Sequence, residues 1–142
     1  MRDDLGDADY AALAELRHLL RRFMAFSEAR ARACGLLPQQ HQLLLAIRGA
    51  DREPTVGYLA ERLVIRPHSA VELVDRMERD GLVRRVRTPD DLRRARVELT
   101  RRGAAVLRDR SLEHREELRR AGPALVEALA AVTGTRAARV AR

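Results

Sequence analysis

The sequence predicts a mainly helical α+β chain, with long helices at both ends and one small β-hairpin beyond its middle. Apolar residues recur at three- and four-residue spacing over most of the length, the signature of amphipathic helices. The period drops to two around Thr88-Pro89-Asp90-Asp91, a run with turn chemistry, as expected of a hairpin. Glycine and proline stand where helices should begin or end. At 142 residues the chain fits one domain with a real core.

Residues 8–33 read as a first helix, carrying Leu13, Leu16, Leu20, Phe23 and Met24 at mostly three- and four-residue spacing. Gly35 ends it, and Pro38 suits the first turn of a second helix that ends near Gly49. Gly57–Leu63 is a short helix with Leu59, Ala60 and Leu63 on one side; Thr55-Val56 before it is too short to make a strand alone. Ile65-Arg66-Pro67 is a break, because a residue preceding proline avoids helical angles. Pro67 opens another helix running to about Asp80, capped by Gly81. Leu82–Arg87 and Arg96–Leu99 are the two arms of the hairpin. Thr100 caps a helix through about Arg120 that places Leu107 and Leu118 on one face. Gly122-Pro123 is expected to break it, leaving Pro123–Val132 as a separate short helix.

Short helix, tight break, second helix and basic hairpin is the order of a winged helix-turn-helix. With Ala70 as origin on a helical wheel, Leu73, Val74 and Met77 fall within about 60° of it. His68, Ser69, Glu72, Asp75, Arg76 and Arg79 take the other side, so one stripe buries the helix and the opposite face offers donors and acceptors. Taken alone, this pattern most often marks an ordinary amphipathic surface helix.

All 28 basic residues are arginine, and the net charge is +7. Residues 1–54 hold 8 Arg against 8 Asp and Glu, whereas residues 82–102 hold 8 Arg against 3 acids. The positive charge is therefore concentrated on the hairpin and its flanks, which suits a polyanionic partner. His18, His41, His68 and His114 have no zinc-site spacing, no glycine-rich phosphate loop is present, and no serine sits in a nucleophile motif. Neither an enzyme nor a metal or cofactor is expected. No apolar run approaches the ~18–20 residues that span a bilayer, and the acidic start lacks the apolar stretch of a signal peptide. With one cysteine, Cys34, a reducing cytoplasmic location is the expectation.

Thr55-Val56-Gly57-Tyr58-Leu59-Ala60-Glu61-Arg62-Leu63 resembles the first part of the helix-turn-helix in the MarR family of transcriptional regulators. The run from His68 through Gly81-Leu82-Val83 resembles that family's recognition helix entering the wing. Asp91-Leu92-Arg93, followed by Val97-Glu98-Leu99-Thr100 and Gly103, resembles the wing signature. These motifs cover residues 55–103. The resemblance implies a single domain over 1–142 with its winged core at 55–103, and dimerisation through helices 8–33 and 104–132. It implies a homodimer on double-stranded DNA, with the recognition helix in the major groove and the wing in the adjacent minor groove. His68, Ser69, Val71, Glu72 and Arg76 would face the bases, Arg93 with Arg94 would serve the wing, and Asp91 would orient Arg93 by an ion pair.

The chain departs from the family at Val71, where Ser or Thr is common, and at Glu72, where Arg is common. Valine can touch a thymine methyl and glutamate can accept from cytosine N4. Leu92, where a basic residue is common, trims the wing charge. Small aromatic or phenolic effectors are implied for the family, with Phe26, Arg30, His41 and Arg115 as candidate walls by position, each also suited to an ordinary core or surface role. The cysteine of peroxide-sensing relatives lies much nearer the start of the first helix, so Cys34 does not match it. The function expected is a ligand-responsive repressor on a pseudo-palindromic operator. The alternative is a winged-helix dimer that serves as a protein-interaction module without specific DNA sites.

Overall fold

A computed structural model describes residues 4–89 and 91–135, with side chains for all of these except 88 and 91–93. The element order is α1 (Asp7–Ala33), α2 (Pro38–Arg48), α3 (Val56–Leu63), α4 (Pro67–Arg79), β1 (Val83–Thr88), β2 (Asp91–Leu99) and α5 (Arg101–Thr133). The two strands form one antiparallel sheet. The described residues divide into two compact units: Arg30–Leu112, which holds the winged helix-turn-helix, and a helical unit made of 4–29 with 113–135. The unit Arg30–Leu112 also takes in α2 and the start of α5.

The winged unit is built on an apolar core to which most of its elements contribute. Leu43 and Leu44 of α2, Leu59 of α3, Val74 and Met77 of α4, and Val97 of β2 are fully buried. Burial of Ala70, Leu73, Val74 and Met77 is the stripe that the helical wheel places inward. Pro38 and Pro67 each open their helix, where a missing N–H costs nothing. Thr55 caps α3, its Oγ1 accepting from the Tyr58 N–H at 3.2 Å.

Gly81 ends α4 with φ +73°, and the Leu82 N–H donates to the Met77 carbonyl at 3.0 Å, closing a Schellman turn. The start of α5 is sewn to this turn. The Thr100 N–H donates to the Leu82 carbonyl at 3.1 Å, Thr100 Oγ1 donates to the Gly81 carbonyl at 2.6 Å, and the same oxygen accepts from the Gly103 N–H at 3.0 Å. The backbones approach so closely that a Cβ on Gly103 would lie 2.0 Å from the Leu82 oxygen.

The hairpin pairs Val83 with Leu99 and Arg85 with Val97, then shifts register: Arg87 faces Ala95 but Thr88 faces Asp91. Residues 92–94 are therefore a bulge in β2, a device that bends a strand and re-aims its side chains. Thr55-Val56 is not a strand, but Thr55 bridges to Arg96, and the Val97 N–H donates to the Pro54 carbonyl at 2.9 Å.

The expected break at Gly122-Pro123 does not occur. α5 runs unbroken through Pro123. Proline removes one intrahelical hydrogen bond, here to the Arg119 carbonyl, and strains that turn. The Ala- and Leu-rich residues 124–131 are strong helix formers, and they continue the helix beyond it.

In the helical unit Phe23 and Phe26 lie against the His114 ring, with centroids 6.0 and 6.2 Å away. Leu20 and Met24 of α1 and Leu118, Val126 and Leu129 of α5 are between 43% and 52% exposed, so the single chain leaves a substantial apolar surface in water.

Candidate nucleic-acid interface

The outer face of α4 is presented by the packing of its inner one. His68, Ser69, Val71, Glu72, Asp75, Arg76 and Arg79 are all exposed, while Ala70, Val74 and Met77 anchor the helix beneath them. His68 Nε2 and Glu72 Oε1 are 3.1 Å apart, one turn along this face. The imidazole gives the glutamate a local partner within hydrogen-bond distance on this face. Ser69 brings a hydroxyl that both donates and accepts, and Val71 brings an apolar surface, so the face offers every type of contact that base edges read.

Beside Val71 lies a cleft of about 330 Å³, bounded by Thr55 and Gly57 at the start of α3 and by Arg85, Arg87 and Arg94 of the hairpin. Of these arginines, Arg87 and Arg94 are exposed beside a helix N-terminus, whose positive dipole end also favours anions. Arg87 is absent from the residues singled out in the sequence. The alternation carries the signal for it: Val83, Arg85 and Arg87 share a strand face. Val83 is 2% exposed in the core, and Arg87 is exposed at the cleft, so one strand face runs from core to solvent.

Arg94 falls within the β2 bulge and lines the cleft. Asp91 and Arg93 occupy β2 by backbone, and their side chains lie outside the described residues, as does Leu92. The opposite face of the hairpin carries a short ion network. Glu98 accepts from Arg96 Nε at 2.8 Å and from Arg84 Nη2 across the strands at 3.0 Å. These two guanidinium groups, Arg96 first, hold the Glu98 carboxyl below its ordinary range, so it stays ionised at neutral pH.

The candidate effector residues fall in different units. Phe26 and Arg115 belong to the helical unit, and Arg30 and His41 to the winged one. His41 is 1% exposed on the buried face of α2, with Gln40, Leu43, Leu44 and Ile47. The Arg30 carbonyl accepts from Arg110 Nη1 at 2.7 Å. Among the described residues no group of three or more His, Cys, Asp and Glu is placed to hold a metal ion, and no helix is long and apolar enough to cross a membrane. Cys34 is exposed.

The MarR family model matches residues 35–94, the span that contains α2, the helix-turn-helix and the first part of the wing. Among solved structures, the chain is similar to AbsC, a MarR family transcriptional regulator from Streptomyces coelicolor. The identity there is 22% over 83% of this chain and 80% of that one, with a TM-score of 0.72. A MarR family protein from Bacillus stearothermophilus is 29% identical over 77% of this chain and 78% of its own, with a TM-score of 0.61. A cysteine-to-serine mutant of MarR from E. coli, complexed with operator DNA, is 23% identical over 72% of this chain and 75% of its own, also with a TM-score of 0.61. No curated protein sequence matches the chain.

Proposed function

We propose that this chain, whose residues 35–94 match the MarR family model, is a DNA-binding transcriptional regulator of that family, a ligand-responsive repressor acting as a homodimer on a pseudo-palindromic operator. The observation that carries the reading is the paired surface of the winged unit. It joins an exposed polar face on α4 to an adjacent arginine-lined cleft under the hairpin.

α4 enters the major groove, where Ser69, Val71 and Glu72 discriminate bases, and Arg76 contributes charge. The hairpin lies over the adjacent minor groove, with Arg93 as its proposed groove contact and Asp91 as the proposed partner of Arg93 by motif resemblance, and with Arg94 and Arg87 on the backbone. The apolar side chains left exposed on α1 and α5 support a second copy as their cover. Two-fold symmetry then sets two recognition helices about one DNA turn apart. An effector acts by population shift: it binds better to a dimer whose helix spacing misfits the operator, and so lowers DNA affinity.

Selection of bound sequences from a random DNA pool, with and without small aromatic anions, tests this. The reading expects an enriched inverted repeat that one of the anions depletes. Binding without any enriched sequence would refute the specific-operator reading and favour an interaction module.

A further inference from the structure

The hairpin is a two-stranded ribbon, a structure that is marginal in water without support. Its base is supported by the core, through Val83 and Val97 at 2% and 0% exposure. On the rung where Arg85 pairs with Val97, the support is also polar. Arg85 Nη2 lies 2.7 Å from Asp75 Oδ1, and its Nη1 meets Glu78 Oε1 at 2.5 Å. The Arg85 N–H, on the outward edge of β1, donates to Glu78 Oε2 at 3.2 Å. Glu78 thus grips both the main chain and the guanidinium of the same residue.

Asp75 and Glu78 stand one turn apart on α4, on the flank between its buried stripe and its outer face. A planar guanidinium held by two carboxylates has its direction as well as its position fixed, which a lysine could not reproduce. The Arg85 side chain is 22% exposed, and its carboxylate partners Asp75 and Glu78 are 51% and 35% exposed.

We propose that Arg85 is a positioning residue that clamps the wing to the recognition helix through Asp75 and Glu78, so that helix and wing meet DNA as one rigid reader. The proposal rests on the reading of α4 and the hairpin as the DNA surface. It assigns to Arg85 no phosphate of its own: its charge is taken up by two acids.

Two full-length variants separate the roles. Arg85→Gln removes the clamp and a positive charge. Asp75→Asn with Glu78→Gln removes the clamp and two negative charges. A clamp requires the same phenotype from both. Without DNA, amide exchange in residues 83–88 and 94–99 should quicken at least tenfold in each variant, while α2 and α3 keep wild-type protection. With DNA, preference for an A·T-rich flank should fall toward unity in both variants, while discrimination among half-site bases stays within about twofold of wild type.

If Arg85→Gln weakened all sequences alike, lowered the salt slope by about one, and the acid variant bound more tightly, Arg85 would be a phosphate ligand and the proposal wrong. Unchanged hairpin exchange would overturn it equally. Should the wild type prefer no DNA sequence, the functional reading fails instead, and the exchange experiment still decides the clamp.

Discussion

At the scale of single residues, two backbone positions leave little freedom of choice, and they differ in how well the chain fills them. Val64 closes α3 in the left-handed region, at φ +55°, where the Ile65 N–H reaches the Ala60 carbonyl at 3.0 Å. A β-branched residue is strained there, and Val64 is 89% exposed, so its side chain gives little burial in return. Val64→Gly should therefore stabilise the protein by about 1 kcal/mol, read as a higher denaturation midpoint with an unchanged slope. Gly103 is the opposite case, since its Cβ site is occupied by the Leu82 backbone. Gly103→Ala must part α5 from the α4–β1 turn and should cost about 3 kcal/mol in the same measurement. The motif resemblance marks Gly103 in the sequence, but the carbonyl that excludes a side chain is visible only in the fold.

Among elements, the helix-turn-helix was the most legible, because local signals agreed with tertiary demand: Pro67 opens α4, Gly81 ends it, and its buried stripe has a clear helical period. The hairpin was legible from its alternation and turn. Less so was everything that joins elements. The Thr55–Arg96 bridge and the Arg85 contacts with Asp75 and Glu78 pair residues across different elements, and no periodicity encodes them. Pro123 misled in the other direction, because a local breaker was outweighed by the helix formers around it. Pro123→Ala should restore the missing hydrogen bond and raise the thermal midpoint of α5, by up to about 3 kcal/mol in stability; a lower midpoint would mean that the proline serves the fold. The Glu98 network gives the hairpin an acid limit. A carboxyl with a lowered folded pKa contributes stability above its unfolded value, and that stability is lost as pH falls through the folded value. Hairpin amides should thus lose protection below the ordinary glutamate range while α2 amides keep theirs. Both partners of Glu98 are more than a third exposed, so the effect on global stability is small.

For the whole molecule, the apolar residues exposed on α1 and α5 predict association. Light scattering at micromolar concentration should give about twice the chain mass, and a clean monomer would contradict the homodimer. Its operator should have half-site centres roughly 10–10.5 base pairs apart. The concentration of arginine around the hairpin predicts steep salt dependence, because each neutralised phosphate releases counterions.

The central claim is a division of labour: the outer face of α4 reads bases, and the hairpin arginines hold the duplex. Its most direct test is the affinity of wild type, Ser69→Ala, Arg94→Ala and Arg93→Ala for a selected operator and for single-base mismatches of it. Arg94→Ala and Arg93→Ala should weaken binding to every sequence, Arg93→Ala most for A·T-rich flanks, where the narrow groove concentrates negative potential. Ser69→Ala should instead erase discrimination at one position, by about 1–3 kcal/mol. Arginine variants that bind every site as wild type does, together with a Ser69→Ala that weakens all sequences equally, would contradict the account.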